Sequence, residues 1–298
     1  MQVGVIGLGK MGLNLSLNMV DHDVKVFGYD LNITDEMKQT HDQIQFSESL
    51  EELVKSLSKP RIVWLMVPAG EATDTVVDSM CRLLEEDDVV IDGGNSRYTD
   101  TLEHYKKLKH QNIHMLDCGT SGGTYGARHG ACLMVGGERE IYDRVEPLFK
   151  AIAIEDGYDY MGKSGAGHYV KMVHNGIEYG MMQAISEGFD VLEASQYQLD
   201  YEAVSKVWAH GSIIEGLLLR MVESAFKKDP KLTAIKGRID DSGEGKWTVE
   251  EALKLDVSTP VIAQSLFTRY KSRDEKRFAE KLIAAMRNEF GGHKVYKE

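Results

Sequence analysis

Four polar residues in one short stretch have the side chains needed for acid–base chemistry. The stretch KMVHNGIEYG, residues 171–180, carries Lys171, His174, Asn175 and Glu178 at offsets of zero, three, four and seven. On an α-helix these offsets place all four side chains on one face. A lysine becomes a general base when desolvation or nearby positive charge lowers its pKa from about 10.4 toward neutrality. Glu178 is then a candidate partner acid.

An ion pair or a solvated helix face is the alternative interpretation of each of these residues. Lys171 and Glu178 are too far apart for the usual helical pair at a spacing of three or four. Apolar Met172, Val173 and Ile177 flank the polar stripe. Four polar groups between apolar neighbours therefore favour a functional site over an ordinary surface.

A second chemical motif stands near the start of the chain. The apolar run VGVI leads into Gly7, Gly9 and Gly12 in the spacing G-x-G-x-x-G. Such glycines permit a tight turn and a close approach to a pyrophosphate, at which the next helix points its N-terminus. The strand-like VKVFGYD then ends at Asp30, and an acid there binds the ribose 2′-hydroxyl of NAD and repels the 2′-phosphate of NADP. A plain glycine turn is the weaker alternative.

Alternating strands and helices must position these motifs in the first half of the chain. The apolar runs RIVWLMV, DVVIDGG, NIHMLDC and ACLMVGG, with AIAI as a further short run, alternate with helical stretches. The pattern predicts a mostly parallel, doubly wound α/β sheet whose ligands bind beyond the carboxyl ends of the strands. Asn95 and Ser121 follow such strands within glycine-rich loops and could bind hydroxyls or a carboxylate. The predicted cofactor contacts are Gly7, Gly9, Lys10, Met11, Gly12, Asp30, Val67, Pro68 and Asn95.

The second half of the sequence changes to helical periodicity. After Gly165 the helical pattern continues for about thirty residues, roughly 45 Å, and the segments downstream are also helical. We therefore predict a Rossmann-type dinucleotide-binding domain at residues 1–160 and an all-α substrate and dimerisation domain at residues 161–298. The long helix is expected to lie between the domains, with its polar face toward an interdomain crevice.

Composition argues against several classes of protein. The chain has 298 residues, 42% hydrophobic and 28% charged, which is typical of a globular protein. Its net charge of −12 provides no basic excess for a nucleic-acid partner. No apolar run has membrane-spanning length, no signal peptide is recognisable, and the three cysteines lack metal-ligand spacing. A cytoplasmic protein with no metal site and no membrane partner is expected.

Five motifs resemble those of the 6-phosphogluconate dehydrogenase family. They are GLGKMGLNL, DGGNS, GTSGGTYGARHGACLMVGG, GAGHYVKMVHNGIEYGMMQ and GKWT. The similarity runs from residue 1 to about 270 and returns near the C-terminus, and the length is that of the short bacterial form. The wider β-hydroxyacid dehydrogenase superfamily shares the glycine motifs and GxGxxxKxxxN, whereas HNGIEY is particular to the phosphogluconate branch.

The resemblance implies metal-independent oxidative decarboxylation of 6-phosphogluconate to ribulose 5-phosphate and carbon dioxide, with NAD or NADP reduced. Lys171 would take the C3 hydroxyl proton and then act as an acid at the resulting ketone. Glu178 would protonate C1 of the enediol. A β-keto acid loses carbon dioxide readily once its carbonyl is polarised, and a protonated lysine can polarise it. The implied substrate contacts are Asn95, Ser121, Gly122, Gly123, His174 and Asn175, with Tyr179 and Arg269 at the phosphate.

The C-terminal stretch RNEFGGH resembles the family's RDYFGAH tail, whose arginine and histidine reach the substrate of a neighbouring subunit. Arg287 and His293 would hold these roles. The resemblance then implies a homodimer or homotetramer in which each active site draws on two chains. A frayed helix end is the alternative.

Two binding positions depart from the family pattern. KGTGKW is replaced by SGEGKW, so that Ser242 stands for a phosphate-binding lysine and Glu244 for a threonine. Pro68 replaces a lysine of the long form beside the cofactor, and Asp30 stands where NADP-specific members carry Asn-Arg-Thr. The last two changes indicate NAD. The residues left to bind phosphate are Tyr179, Arg269, Arg287 and a neighbour such as Lys246.

Two other functions stay open on the sequence alone. A β-hydroxyacid dehydrogenase that acts on a small unphosphorylated 3-hydroxy acid without decarboxylation would need neither Glu178 nor the RNEFGGH tail, although the lost lysine favours it. A non-catalytic dinucleotide sensor would tolerate loss of Lys171 or Glu178, and both are present.

Overall fold

The computed structural model describes residues 1–297, which form two compact units that are described separately. Residues 1–175 make up the first unit and residues 176–298 the second, so that the division falls inside one helix. The predicted domain boundary at residue 160 stays a prediction.

The first unit is built on one eight-stranded sheet. Its strands are β1 (Gln2–Ile6), β2 (Lys25–Tyr29), β3 (Gln45–Phe46), β4 (Ile62–Leu65), β5 (Val89–Asp92), β6 (His114–Ser121), β7 (Ala131–Gly137) and β8 (Ala153–Gly162). Their order across the sheet is β3-β2-β1-β4-β5-β6-β7-β8. Every neighbouring pair is parallel except β6 and β7, which are antiparallel. The predicted doubly wound α/β sheet is thereby confirmed.

Seven helices connect the strands of the first unit. They are α1 (Lys10–Asp21), α2 (Asp35–Thr40), α3 (Leu50–Ser56), α4 (Glu71–Leu83), α5 (Tyr98–Lys109), α6 (Gly123–His129) and α7 (Arg139–Ile152). Parallel strands whose two faces are both covered by helices are continuously apolar rather than alternating. The strand β5 follows this rule, since all four of its residues are buried. One hydrophobic cluster contains Trp64, Leu116 and Phe149, and a second contains Leu65, Met80 and Leu108.

The structure differs from the sequence pattern at the short apolar run AIAI, which the pattern treats as one segment. AIAI, residues 151–154, is divided between the end of α7 and the start of β8. The buried face of α7 includes Val145, Leu148, Phe149 and Ile152, and these spacings of three, one and three extend the helical period through the first half of AIAI.

The second unit is helical, as predicted. The helix α8 (Ala166–Glu193) has 28 residues and contains the division between the units, so that its residues from 176 onward belong to the second. It is followed by α9 (Tyr201–Trp208), α10 (Leu217–Lys228), α11 (Glu244–Lys254), α12 (Pro260–Ser272) and α13 (Phe278–Gly291). The helical stretch 201–229 is two helices, because Gly211 takes a positive φ of +80° between them. Pro260 likewise starts α12 as a separate helix. None of the described helices is long and apolar enough to cross a bilayer.

The helix α13 buries none of its residues in the described chain. Its apolar side chains are nevertheless large, and Phe278 and Phe290 are 71% and 76% exposed. Leu282, Ile283 and Met286 lie between them and are about half exposed. An amphipathic helix normally buries such a stripe, so α13 presents an apolar surface that this chain does not cover.

A charged cluster holds the start of α7 to α5 and β6. The Glu138 carboxylate accepts hydrogen bonds from Tyr105 Oη at 2.8 Å and Lys109 Nζ at 2.9 Å, and lies 3.1 Å from His114 Nδ1. The hydrogen bond from Lys109 is the main cause that lowers the Glu138 pKa from 4.5 to about 2, and it outweighs partial burial. A carboxylate with a depressed folded-state pKa stabilises the fold fully above its unfolded pKa, and that stability is lost as pH falls toward the folded pKa.

We expect Glu138→Gln to lower the free energy of unfolding at pH 7 by about 1 kcal/mol, after allowance for solvent screening of a group one-third exposed. The difference from wild type should shrink as pH falls from 4.5 toward 2, which urea titrations at several pH values would measure. Glu140→Gln, an exposed acid in the first turn of the same helix, is the control. If the difference in unfolding free energy between Glu138→Gln and wild type did not change with pH, the stabilising role assigned to the Glu138 carboxylate would be contradicted.

Candidate active site

The glycine loop between β1 and α1 has the backbone geometry that a bound dinucleotide requires. Gly7 has a φ of +95°, and a Cβ there would lie 2.5 Å from the Met66 carbonyl oxygen. A Cβ on Gly12 would overlap the Gly7 carbonyl oxygen, so the helix start lies directly against the turn. A Cβ on Gly9 would meet no atom within 4 Å. The loop is thus tight on its protein side and open at Gly9, which begins α1 with no side-chain cap on its free N–H groups.

Asp30 is tied to this loop. One oxygen of its half-buried carboxylate, Oδ2, accepts the Leu8 N–H at 2.7 Å, and Oδ1 accepts the Asn32 N–H at 2.8 Å. The acid predicted to bind ribose is therefore held beside the glycine loop by backbone hydrogen bonds.

The segments after β4 and β5 contain further predicted cofactor contacts. The Pro68 carbonyl accepts a hydrogen bond from Thr73 Oγ1 at 2.8 Å, which holds the turn that follows Val67. Asp92, fully buried at the end of β5, accepts the Gly94 N–H at 3.1 Å and the Ser96 hydroxyl at 2.7 Å. These two bonds bracket Asn95, whose side chain is exposed.

The second glycine loop meets the first part of the polar stripe on α8. Ser121 Oγ, at the end of β6, lies 3.3 Å from His174 Nε2, and His174 Nδ1 lies 2.9 Å from Asn175 Oδ1. Gly122 and Gly123 follow with φ of +102° and +62°, and start α6. The predicted substrate contacts from β6 and from α8 are thus brought together by the fold.

Lys171 lies one turn before His174 and is 6% exposed. It packs against Gly119 of β6, where a Cβ would overlap the Lys171 Cβ and lie 3.0 Å from its Cγ. The predicted base is therefore buried. Glu178, the predicted acid, belongs to the second unit and is half-buried there.

Three residues that the sequence did not single out hold the start of α8. Asp117 of β6 is fully buried and accepts the N–H groups of Gly165 at 2.7 Å and His168 at 2.9 Å. Thr101 Oγ1 of α5 lies 2.7 Å from His168 Nδ1. A buried N–H group left without a partner costs about 1–3 kcal/mol, so these bonds matter for the helix end. An acid inside the apolar run NIHMLDC was the available signal for Asp117.

In the second unit, Tyr179 and Arg269 form one cluster with the segment that precedes α11. The Arg269 guanidinium lies 3.6 Å from the centre of the Tyr179 ring and donates to the Asp240 carbonyl at 2.9 Å. The Ser242 N–H donates to Tyr179 Oη at 3.4 Å. The two predicted phosphate-binding residues are thus adjacent to the position where the family lysine is replaced.

Glu244 departs from the family and has an unusual environment. It is 2% exposed, and neither carboxylate oxygen has a hydrogen-bond partner among residues 1–297. Lys246, on the same helix, lies 3.7 Å from Glu250 instead. The sequence indicated the replacement of the threonine but gave no sign that the acid would be buried.

Arg287 and His293 are exposed at the end of α13 and just beyond it. Within the described chain neither the guanidinium nor the imidazole makes a hydrogen bond or an ion pair. The structure of one chain therefore does not join them to the other predicted substrate contacts. No group of three or more metal-ligating side chains occurs among residues 1–297.

Two family models match nearly the whole chain. Residues 2–162 match the NAD binding domain of 6-phosphogluconate dehydrogenase, and residues 167–298 match the 6-phosphogluconate dehydrogenase C-terminal domain. A Bacillus subtilis protein, itself only provisionally named a 6-phosphogluconate dehydrogenase, is 51% identical over 100% of both chains. The NAD(+)-dependent, decarboxylating 6-phosphogluconate dehydrogenase of Haloferax volcanii is 41% identical over 100% of this chain and 99% of its own.

Solved structures agree with these matches. Plasmodium falciparum 6-phosphogluconate dehydrogenase, solved alone, with its cofactor NADP+ and with its substrate 6-phosphogluconate, has a TM-score of 0.83 and 32% identity. The alignment covers 100% of this chain and 66% of that one. A 3-hydroxyisobutyrate dehydrogenase of Mycobacterium tuberculosis has a TM-score of 0.71 at 19% identity, which shows a shared fold alone.

Proposed function

The chain belongs to the 6-phosphogluconate dehydrogenase family, and on this premise we propose that it oxidises and decarboxylates 6-phosphogluconate to ribulose 5-phosphate and carbon dioxide. NAD is the preferred cofactor and no metal takes part. The observation that carries the proposal is the buried Lys171, packed on Gly119 one helical turn before a His174 that contacts Ser121. A lysine held this way beside the second glycine loop suits proton transfer at a substrate hydroxyl.

The residues around the first glycine loop fit a nicotinamide dinucleotide. The open face at Gly9 leaves room for a pyrophosphate, and the uncapped start of α1 offers it N–H donors. The Asp30 carboxylate, which accepts the Leu8 N–H beside this loop, is the proposed partner of a ribose hydroxyl. The cofactor, when bound, supplies the hydride acceptor. Lys10, Met11, Val67, Pro68 and Asn95 complete the proposed cofactor contacts.

The side chain of Lys171 acts twice in the proposed mechanism. It first accepts the proton of the C3 hydroxyl as the C3 hydrogen departs as hydride and a C3 ketone forms. The resulting ammonium then polarises that ketone and gives its proton to the ketone oxygen, while the bond to the carboxylate carbon breaks and carbon dioxide leaves. The released electron pair forms the enediol. Glu178 delivers the proton that converts the enediol to the ketose.

The remaining proposed contacts orient the substrate. Ser121, Asn175 and His174 bind its hydroxyls and carboxylate, together with Asn95 and the N–H groups of Gly122 and Gly123. Arg269 and Tyr179 bind the phosphate, since a guanidinium fork matches phosphate oxygens. Ser242 supplies a hydroxyl in place of the family lysine. We further propose that residues 1–160 are the cofactor domain and residues 161–298 the substrate and dimerisation domain.

The uncovered apolar stripe of α13 supports assembly with a second copy. Phe278, Leu282 and Phe290 are exposed in the single chain, and burial of such side chains contributes about 1.5–3 kcal/mol each. We propose a homodimer or homotetramer in which α13 packs on another subunit. The tail residues Arg287 and His293 then reach that subunit's substrate.

The proposed reaction is tested with 6-phosphogluconate by recording NADH and carbon dioxide together. We expect equal amounts of both products from the wild-type protein. Lys171→Ala should lower turnover by about 10²–10⁴-fold while NADH still binds, because a general base contributes that factor. Glu178→Gln should slow formation of the ketose. The exposed Lys163→Ala is the control.

Other outcomes of this assay distinguish the alternatives. Reduction of NAD by small 3-hydroxy acids but not by 6-phosphogluconate would favour the non-decarboxylating dehydrogenase, and would assign the change to Ser242 and Glu244. Binding of NADH with no turnover on either substrate would indicate a dinucleotide sensor.

Cofactor preference is tested with Asp30→Ala. The ratio of kcat/KM with NADP to that with NAD should rise by roughly tenfold or more, because juxtaposed like charges cost several kcal/mol. Affinity for NAD should fall as well, since the substitution also frees the Leu8 N–H. Glu36→Ala, which removes an exposed acid at the start of α2, should leave the ratio unchanged. An unaltered ratio in Asp30→Ala would show that this carboxylate does not set the preference.

The role of the tail is tested by ending the chain at residue 286. KM for 6-phosphogluconate should rise roughly 10- to 100-fold, because a hydrogen bond to a charged group is worth about 1.5–3 kcal/mol. A chain that ends at His293 is the matched control. Mixing the truncated chain with Lys171→Ala should restore activity if the tail acts in another subunit. Absence of restored activity in a mixed oligomer would contradict this arrangement.

A further inference from the structure

We propose that Asp117 is a positioning residue that holds Lys171 in place through the first turn of α8. The inference rests on the proposed role of Lys171 as the base. Asp117 belongs to neither the proposed cofactor contacts nor the proposed substrate contacts, and it is fully buried within β6.

The contacts of Asp117 supply a cap that the sequence of the helix lacks. The first N–H groups of an α-helix have no partner within the helix. At the start of α8, Gly165 has a φ of +88° and no side chain with which to cap them. The Asp117 carboxylate accepts two of the buried N–H groups instead, with Oδ1 on Gly165 at 2.7 Å and Oδ2 on His168 at 2.9 Å. The cap comes from the sheet and therefore fixes the helix relative to the sheet.

Backbone contacts transmit this position to the lysine. A Cβ on Gly167 would lie 2.6 Å from the Asp117 carbonyl oxygen and 2.8 Å from the Gly136 nitrogen. The helix backbone therefore touches both β6 and β7 without intervening side chains. Lys171 follows His168 by three residues, within the next turn, and its own Cβ faces Gly119. A shift of the first turn would carry the lysine with it.

A separate tether keeps the helix attached when the carboxylate is removed. Thr101 Oγ1 contacts His168 Nδ1 at 2.7 Å, and the rings of Tyr98 and Tyr169 meet edge to face with centres 5.0 Å apart. Both contacts come from α5, on one side of the helix start. Loss of Asp117 should then allow the first turn to move while the unit stays folded.

Another buried aspartate provides a matched control. Asp88 is also fully buried and accepts two backbone N–H groups, from Arg61 at 2.7 Å and Glu85 at 2.9 Å. It precedes β5 and so lies at the amino end of the sheet, whereas the proposed site follows the carboxyl ends. Asp88 also pairs with the Arg61 guanidinium at 2.8 Å, so its substitution removes two backbone hydrogen bonds and an ion pair at a distance from Lys171.

The experiment compares Asp117→Ala, Asp117→Asn and Asp88→Asn with wild type. We expect kcat of Asp117→Ala to fall about 10²-fold, the loss that a misplacement near 1 Å can cause, with KM and the Kd for NADH within about threefold of wild type. The pH profile of kcat should also change on the limb that reports the base. Asp117→Asn retains one acceptor oxygen and should recover part of kcat. Asp88→Asn should lose stability but keep kcat.

Hydrogen exchange of the peptide that spans residues 163–175 supplies a readout independent of turnover. Exchange should be faster in Asp117→Ala than in Asp88→Asn at equal global stability. The proposal would be overturned if Asp117→Ala lost stability but kept the wild-type kcat per folded molecule. It would also be overturned if residues 163–175 exchanged equally fast in Asp117→Ala and Asp88→Asn. If Asp117→Ala does not fold, Asp117→Asn decides on the same criteria. Failure of wild type to turn over 6-phosphogluconate would contradict the proposed function alone, since exchange still tests the position of the helix.

Discussion

Direct contact between the backbone of α8 and the backbones of β6 and β7 is the constraint on which the candidate site depends. Gly119, Gly136 and Gly167 come from three elements, and a Cβ on any of them would overlap a neighbouring atom. Side-chain packing can adjust when a contact changes, but two backbones in contact have no flexible atoms between them. The height of α8 above the sheet is therefore fixed, and Lys171 takes its position from it.

Three aspartates in or just after strands of the sheet hold backbone segments of the candidate site. Asp30 after β2, Asp92 at the end of β5 and Asp117 within β6 each accept backbone N–H groups from a site segment. Because the carboxyl ends of parallel strands share one edge of the sheet, these ties bring distant parts of the sequence together. A hydrogen bond is stronger in a buried environment, provided that every group has a partner. These acidic residues thus hold backbone segments of the candidate site in place.

The sequence was sufficient for features that depend on local pattern. The glycine fingerprint, the strand that precedes Asp30 and the 28-residue helix all follow from spacing along the chain. It was insufficient where partners are distant in sequence. The bond of Asp117 to His168 spans 51 residues, and the 2% exposure of Glu244 is a tertiary property that its neighbours in the sequence do not indicate. The division of AIAI between α7 and β8 depended on where an amphipathic helix stops, which periodicity resolves poorly.

The helix α8 packs on strands that come late in the sequence of the first unit. The strands that it contacts, β6 and β7, form an antiparallel pair, and α7 and β8 lie between this pair and α8 in the sequence. The glycine loop at residues 7–12 contacts Asp30 and Met66, so all of its described partners precede β5 in the chain. Lys171 gains its buried surroundings only when the later strands have joined the sheet. The proposed base is thus completed later along the chain than the glycine loop, and its burial requires the whole first unit to be folded.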